Sequence, residues 1–341
     1  MAAELKNLLR ATSRSFYLTL RVLPAAIRPQ IGLAYLLART SDTIADTEIV
    51  PLDQRLAALQ KLRERILGQS TTPLNFGDLA KRQGSPAESA LLEKVETAIT
   101  ELQKLSVADA KLVRDVLTII MGGQELDLRR FAGASAAKTV ALETAAELDD
   151  YTYRVAGCVG EFWTKMCRAH LFPGERLDEK QFMADGLRFG KGLQLVNILR
   201  DLPADLRKGR CYLPTEKLDA AKLLPATLLS PANEARFLPL FREYLDKADS
   251  HLVAGWNYTN TLPFGQFRVR LACAWPILIG VRTLEKLRAA NVIELQQRVK
   301  VSREEIRAIM RRSILACPFR KAWQNLLPPT GKAVASGGKL A

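Results

Sequence analysis

The chain has 341 residues, of which 48% are hydrophobic and 25% are charged, and its net charge is +14. This composition excludes an intrinsically disordered protein and allows a large buried core. The longest apolar run, residues 271–281, is about half the roughly 20 residues of a membrane-spanning helix. The N-terminal residues also lack the apolar core of a signal peptide. We therefore expect a cytoplasmic globular protein.

Apolar residues recur at intervals of three and four along most of the chain, whereas alternating β-branched runs are scarce. This periodicity predicts an all-α fold. Breaks in the pattern fall at residues 68–86, 170–180, 207–218 and 328–341. The helical pattern resumes after the first three breaks without a change in composition. We therefore predict one domain over residues 1–327 and a disordered tail over residues 328–341.

The first unusual helix lies at residues 35–47, where the apolar sequence YLLARTSDTIADT carries Asp42 and Asp46. Four residues are close to one helical turn, so both carboxylates lie on one face of the predicted helix. Taken alone, such a pair is usually explained by a solvated helix face.

A second polar stripe interrupts another apolar helix, at LQLVNILRDLPAD in residues 193–205. Asn197, Asp201 and Asp205 follow one another at intervals of four and so share a helical face. Like charges in a partly buried site are costly unless a cation neutralises them. Oxygen donors without nearby His or Cys fit Mg²⁺, with Mn²⁺ as the second candidate. The predicted metal ligands are Asp42, Asp46, Asn197, Asp201 and Asp205.

Pro203 lies between the last two carboxylates of the second stripe. In a regular helix its ring clashes with the carbonyl of Leu199 and removes one hydrogen bond. We therefore expect Asp205 on a kinked or terminal turn.

Four blocks of the sequence together resemble the squalene and phytoene synthases, which are head-to-head prenyl transferases. They are SRSF at 13–16, YLLARTSDTIADT at 35–47, YTYRVAGCVGE at 151–161 and LQLVNILRDLPAD at 193–205. The resemblance implies a class I isoprenoid synthase fold, with helices around a large central cavity. It further implies that the two acidic helices face each other there and bind Mg²⁺ that holds a prenyl diphosphate.

The same resemblance assigns roles to individual residues. Catalytic roles fall to Tyr151, Arg39, Asp42, Asp46, Asp201 and Asp205. Substrate contacts fall to Ser13, Arg14, Phe16, Tyr35, Arg39, Val155, Gln194 and Arg200. An allylic diphosphate that ionises needs cations for its leaving group and apolar walls for its carbocation, and these residue types meet both needs. Core packing is the alternative for Phe16, and a surface ion pair is the alternative for each arginine.

The chain departs from the family pattern at the first acidic block. Thr43 follows Asp42, whereas many phytoene synthases have a second acid there, and this form resembles squalene synthases. Animal and fungal squalene synthases have further acids where this chain has Ala45 and Thr47. The first metal site is therefore expected to have fewer ligands.

The resemblance to the squalene branch implies that two farnesyl diphosphates form presqualene diphosphate, which NADPH then reduces to squalene. The stretch RVKVSREE resembles a segment that contacts NADPH phosphate and places Lys300 and Arg303 there; a solvated basic helix explains both equally well. Cofactor or metal contacts are expected from Arg14, Arg39, Asn197, Lys300 and Arg303. A phytoene or dehydrosqualene synthase, a presqualene diphosphate synthase and a non-enzymatic prenyl diphosphate binder stay open as alternatives.

Basic residues are concentrated near the C-terminal end of the predicted domain. Residues 282–321 contain 11 basic and 4 acidic residues, a net charge of +7. Nucleic acid is not an expected partner, because no nucleic-acid-binding motif accompanies the charge. We expect a monomer whose basic surface makes peripheral contact with anionic membranes.

Overall fold

The computed structural model describes residues 2–13, 16–292 and 298–327. Arg14 and the predicted tail over residues 328–341 lie outside the described residues.

The described residues are almost entirely helical, which confirms the predicted all-α class. The helices are α1 (Ala3–Thr12), α2 (Phe16–Val22), α3 (Arg28–Asp46), α4 (Leu52–Leu67), α5 (Gly77–Lys81), α6 (Pro86–Glu93), α7 (Val95–Gln103), α8 (Val107–Arg130), α9 (Ala145–Thr152), α10 (Cys158–His170), α11 (Glu179–Arg207), α12 (Thr215–Ala220), α13 (Glu234–Thr261), α14 (Phe267–Ala289), α15 (Arg303–Ala316) and α16 (Arg320–Gln324). A π-helical turn, Tyr153–Gly157, joins α9 to α10, and two 3₁₀ turns, Pro225–Thr227 and Pro231–Asn233, precede α13.

Two short parallel strands hold the segment after α8 against the end of α11. They are β1 (Val140–Ala141) and β2 (Arg210–Cys211), and Val140 is paired with Arg210. Gly209 precedes β2 with a positive φ of 78°. A Cβ atom there would lie 2.1 Å from the carbonyl oxygen of Ser135. This turn therefore requires glycine on both conformational and steric grounds.

The long helix α11 connects the two hydrophobic clusters of the described core. One cluster is built mainly from α1 to α8 and α10, and the other mainly from α11 to α16. Phe189 on α11 packs against both clusters. Because α11 also packs along α10, α13 and α14, side chains at its C-terminal end are held by a rigid scaffold.

The two helices that carry the predicted metal ligands, α3 and α11, are joined near their C-terminal ends. Glu48, two residues after α3, forms ion pairs with Lys208 at 3.3 Å and Arg210 at 3.0 Å. Both partners follow α11. Exposed pairs of this kind contribute little stability, but they fix which ends of the two helices meet.

No helix in the described ranges combines the length and the apolar character needed to cross a bilayer.

The approach of α11 to the π-helical turn and α10 depends on glycine. A Cβ atom on Gly190 would lie 2.1 Å from the carbonyl oxygen of Ala156, and one on Gly160 would lie 1.9 Å from that of Gly186. Both neighbours are backbone atoms, so they cannot rotate away. The helices therefore pack backbone to backbone along this seam.

We expect Gly190→Ala to lower the free energy of unfolding by about 1 to 3 kcal/mol, because the added methyl group forces the helices apart. The intrinsic preference of helices for alanine, about 1 kcal/mol, acts in the opposite direction. Gly174→Ala is the matched control, since a Cβ atom at Gly174 meets no atom within 4 Å. Equal stability of the two variants in urea denaturation would contradict the close approach.

Candidate active site

The predicted metal-binding side chains lie at the C-terminal ends of two helices. Asp46 is the last residue of α3, and Asp205 lies in the last turn of α11. The expected placement of Asp205 on a terminal turn is therefore observed, and α11 continues through Pro203. The C-terminal end of a helix carries partial negative charge, so carboxylates there are unfavourable. Both helices thus carry acids at the end where the helix dipole is unfavourable for negative charge.

Asp42 faces an environment that does not favour its charged form. Gln124 of α8 donates a hydrogen bond to it, and the guanidinium of Arg39 lies 3.7 Å away. Although 48% of its side chain is accessible, burial and the nearby Asp46 raise its pKa to about 6. Burial also raises the pKa of Asp46, although Arg39, Arg210 and Lys208 oppose that rise. Protein cations therefore neutralise this pair only in part.

The acids of α11 differ in their partners. Asp201 receives two hydrogen bonds of 2.9 Å from Arg200 and further contacts from Arg298. No ion pair of Asp205 is found among the described residues, and burial, followed by the charge of Asp201, raises its pKa to about 7. The amide of Asn197 donates to Gln194 at 3.4 Å. The stripe therefore contains one strongly paired carboxylate beside one without an ion pair.

Asp127, which was not among the predicted site residues, lies between the two acidic helices on α8. Burial raises its pKa to about 6, and the charges of Asp46 and Arg210 both act on it. Its Oδ1 and the Oε1 of Gln124 are buried without a hydrogen-bond partner in the described structure. The sequence contained one signal for these residues, since Gln124 and Asp127 are polar at an interval of three within an apolar helix.

Tyr151 belongs to the same electrostatic environment. Burial is the main cause that raises its pKa above the usual range, and Asp127, Asp42 and Asp205 add to the rise. Its ring stacks on Tyr212 with centroids 4.8 Å apart, and the Tyr212 hydroxyl donates to Asp127 at 3.0 Å. Because acids from α3, α8 and α11 all act on Tyr151, these carboxylates lie close to its hydroxyl.

The apolar side chains that were expected to contact the substrate are partly exposed. Phe16 stacks on Tyr35 with centroids 5.0 Å apart, and the Tyr35 hydroxyl donates to the carbonyl of Thr12 at 3.3 Å. Val155 lies in the π-helical turn and Leu193 lies on α11, and both are part-exposed. These side chains are therefore only partly covered by neighbouring residues. π-Helical turns occur frequently at functional sites.

Three predicted contact residues, Ser13, Lys300 and Arg303, form no hydrogen bond or ion pair with the acidic side chains among the described residues. Ser13 is buried, and its hydroxyl donates to the carbonyl of Leu9, so it ends α1. Lys300 and Arg303 are exposed, and the carbonyl of Lys300 accepts a hydrogen bond from Lys286 at 3.1 Å. The side chain of this segment that contacts the acidic helices is Arg298. It is the basic residue that precedes the predicted pair.

The donor set fits Mg²⁺ that is completed by a substrate. No group of three or more His, Cys, Asp or Glu side chains in the described ranges could hold a metal ion. Mg²⁺ commonly binds one or two carboxylates and takes its other ligands from water and phosphate. Partly accessible carboxylates with raised pKa values and the unpartnered Oδ1 of Asp127 leave oxygen donors available for such a cation.

The pKa of Asp205 leads to a prediction about stability. In the folded protein this group binds its proton more tightly than in the unfolded chain, so its contribution to stability falls as the pH rises from about 4 through 7. In metal-free buffer at about pH 8, Asp205→Asn should raise the free energy of unfolding by about 1 to 2 kcal/mol, since part of the side chain remains open to water.

This gain should shrink by about half near pH 5 and vanish below about pH 4, as denaturant titrations at each pH would measure. Asp115→Asn is the control, because Asp115 is exposed and pairs with Lys111 at 2.6 Å. A gain that does not change with pH would contradict the raised pKa of Asp205.

The family model for squalene/phytoene synthase matches residues 9–305. The bifunctional lycopene cyclase/phytoene synthase of Gibberella fujikuroi is 30% identical over 248 residues, 71% of this chain and 40% of that protein. Squalene synthase ERG9 of Saccharomyces cerevisiae is 27% identical over 284 residues, 82% of this chain and 60% of that protein. The chain therefore spans about 40 to 60% of the length of these curated relatives.

A solved structure of TcSQS with the ligand BPH1237 superposes with a TM-score of 0.75 at 22% sequence identity, over 94% of this chain and 89% of that chain. This likeness confirms the predicted isoprenoid synthase fold. Together with the match over residues 9–305, it shows that the chain belongs to the squalene/phytoene synthase family.

Proposed function

We propose that the chain condenses two molecules of farnesyl diphosphate to presqualene diphosphate and then reduces this intermediate with NADPH to squalene. The observation that carries the proposal is the meeting of two acidic helix ends beside Asp127 and Tyr151. These carboxylates lie in a partly dry environment that penalises their charge. A site of this kind suits a substrate that arrives as an anion together with cations.

Ionisation of the allylic diphosphate breaks the bond between carbon and oxygen, and the electron pair leaves with diphosphate. Mg²⁺, when bound with the substrate, would supply Lewis-acid stabilisation of this leaving group. The residues that would hold it are Asp42, Asp46, Asn197, Asp201 and Asp205. Charge stabilisation at a leaving group is effective in such a site because little water competes there.

Three arginines supply further positive charge beside the carboxylates. Arg39 is shared between Asp42 and Glu88, whereas Arg200 and Arg298 both contact Asp201. A guanidinium can bind two phosphate oxygens at once, which an ammonium cannot match in geometry. We assign Arg200 and Arg298 to the diphosphate, which would replace Asp201 as their partner when Asp201 binds the cation.

The first condensation also releases a proton, because a carbon–hydrogen bond breaks as the cyclopropane ring closes. Tyr212 donates to Oδ2 of Asp127, and Oδ1 of that carboxylate has no partner in the described structure. Its pKa of about 6 lets Asp127 accept a proton near neutral pH. Tyr151, stacked on Tyr212, is the side chain of this group that would face the substrate.

The carbocation requires walls that do not react with it. The Phe16–Tyr35 pair, Val155 and Leu193 supply such walls. An aromatic face also attracts a cation through its quadrupole. Exclusion of water by these side chains would prevent hydrolysis of the cation.

A non-reductive enzyme is the second candidate. It would stop at presqualene diphosphate or form dehydrosqualene or phytoene. The observation that favours it is the exposure of Lys300 and Arg303, which form no ion pair with the acidic helices among the described residues. Products formed from farnesyl and geranylgeranyl diphosphate, with and without NADPH, separate the candidates. Squalene that appears only with NADPH supports the first, and product formation that ignores NADPH supports the second.

The metal-binding role predicts the behaviour of single carboxylate variants. Asp42→Asn and Asp201→Asn should each lower kcat at least about a hundredfold, because each removes a charge that holds the cation at the leaving group. EDTA should abolish turnover, and Mg²⁺ should restore it. Diphosphate release from farnesyl diphosphate is the measurement.

Asp115→Asn should retain full turnover in the same assay. Circular dichroism should show unchanged helix content for all three variants. Full turnover in EDTA, or in either of the first two variants, would refute the metal-assisted mechanism.

The reductive step predicts a separation of the two half-reactions. If Lys300 contacts NADPH phosphate, Lys300→Ala removes a charge-assisted contact of about 1.5 to 3 kcal/mol, which weakens NADPH binding about 10- to 150-fold. The first condensation should be unaffected. The variant should therefore accumulate presqualene diphosphate at low NADPH and recover squalene formation at high NADPH.

Lys321→Ala is the matched control, since it removes an exposed lysine from a different part of the same basic region. A titration of both products against NADPH decides the role. Identical NADPH dependence in Lys300→Ala and the parent protein would show that Lys300 does not contact NADPH and is a solvated surface residue.

A further inference from the structure

A pocket that contains two arginines lies where the end of α13, the start of α14 and α16 meet. Its volume is about 160 Å³, and its lining includes Asn260, Phe264, Arg270, Arg320 and Trp323. This volume accommodates a phosphate group but is well below the 300 Å³ or so of typical cofactor pockets. None of these residues belongs to the candidate active site.

Arg270 lines this pocket as a buried cation without an anion. Only 4% of the residue is accessible, and its Nε and Nη1 atoms have no hydrogen-bond partner in the described structure. Its guanidinium lies 4.5 Å from the ring centroid of Trp323 and 5.1 Å from that of Phe264. Aromatic contacts offset part of the cost of burying an arginine, but they leave its N–H groups unsatisfied.

Arg320 increases the need for an anion at the same place. Its guanidinium lies 5.7 Å from the ring centroid of Phe264, on which Arg270 also packs. Burial lowers the pKa of Arg270; Cys317 opposes this shift, and the charge of Arg320 adds to it. Neither arginine forms an ion pair within the described ranges. Two neighbouring guanidinium groups without a carboxylate are a suitable site for phosphate, which they can bind in a bidentate manner.

The surface around this pocket is apolar to an unusual degree. Phe264 lines it, Phe267 lies one helical turn before Arg270 and is 53% exposed, and Phe319 directly precedes Arg320 and is 65% exposed. Ile314 and Leu315, in the last turn of α15, are exposed as well. Exposed aromatic and aliphatic groups next to unpaired arginines are typical of surfaces that enter the interface of a bilayer.

Only some of the basic residues in 282–321 are neutralised by ion pairs within the protein. Arg282 and Lys286 pair with Glu305, and Arg288 pairs with Asp246. Seven other basic residues form no ion pair among the described residues, and these are Lys300, Arg303, Arg307, Arg311, Arg312, Arg320 and Lys321. The free charge thus runs along α15 to Arg320 and Lys321, where it meets the exposed apolar residues.

The exposed face of α15 continues the same surface. Arg307, Arg311, Ile314 and Leu315 are separated by intervals of three and four residues and are all exposed. They therefore form one stripe that changes from basic to apolar toward Phe319.

We propose that this surface docks on anionic phospholipid bilayers and that a lipid headgroup phosphate binds between Arg270 and Arg320. Phe264, Phe267 and Phe319 enter the interface around that headgroup. A freely dissolved phosphate would account for the two arginines but not for the exposed rings around them. The inference does not depend on the proposed reaction.

Vesicle sedimentation tests the proposal with the full chain. Binding should be strong to phosphatidylcholine vesicles that contain phosphatidylglycerol, absent with phosphatidylcholine alone, and weaker as salt rises. Arg320→Gln should weaken binding at least about fivefold, because a basic residue at an anionic surface contributes on this scale. Phe319→Ser should weaken it about tenfold, through the loss of inserted apolar area.

Two matched variants serve as controls. Lys165→Gln removes an exposed lysine on α10, and Leu224→Ser removes a side chain that is 64% exposed in the segment before the first 3₁₀ turn. Both should bind vesicles as the parent protein does. Arg320→Lys, which keeps the charge and loses the forked donor geometry, should bind more weakly than the parent protein if the pocket holds a phosphate.

Other occupants give different results. Calorimetry with glycerol 3-phosphate that shows tight binding, together with no sedimentation on anionic vesicles, would assign the pocket to a dissolved phosphate ester and overturn the proposal. Concentration-dependent self-association without lipid, abolished by Phe319→Ser, would assign the surface to a second copy of the chain. Equal vesicle binding by all variants would also overturn the proposal.

Discussion

The constraint on which the rest of the structure depends is the gathering of carboxylates in a space that disfavours their charge. Asp42, Asp127 and Asp205 come from three different helices, and burial is the first cause of the raised pKa of each. Two of these helices also present their negative ends to the same space. The fold holds the carboxylates there with packing energy from elsewhere, and nearby cations offset only part of the repulsion. The large core around α11 can offset the cost of this repulsion to the free energy of folding. A bound cation would reduce the repulsion and so stabilise the folded state.

Precise helix placement follows from backbone contacts rather than from large side chains. Gly160 and Gly190 let α10 and the π-helical turn approach α11 until carbonyl oxygens of one element meet glycine Cα atoms of the other. Along the chain, Tyr151 precedes Ala156 in this seam, and the polar stripe of α11 follows Gly190. A small change of the seam would therefore move Tyr151, which is proposed to face the substrate, relative to the side chains proposed to hold the cation. Interiors are close-packed and transmit such changes instead of absorbing them.

The sequence predicted those parts of the site that local periodicity encodes. Both acidic stripes were found because an interval of four places side chains on one helical face, and the terminal position of Asp205 followed from Pro203. Asp127 was not predicted, because α8 contains several acids and the interval of three from Gln124 to Asp127 does not distinguish a site from a solvated helix face. Tyr212 and Arg298 follow α11 and α14 in irregular segments, where side-chain direction has no simple period. Their contacts with residues far away in the chain are determined by tertiary packing alone.

Arg298 connects two functions that the sequence analysis treated separately. It contacts Asp201, which is proposed to hold the cation, and it lies two residues before Lys300, which is proposed to contact NADPH. The segment between them is held in place, because Lys286 binds the carbonyl of Lys300 and Ser302 forms a capping box with Glu305 at the start of α15. If Arg298 changed its partner when diphosphate binds, the short backbone segment between them would therefore shift the position of Lys300. This geometry gives a reductive enzyme a physical means of linking cofactor binding to the state of the leaving group.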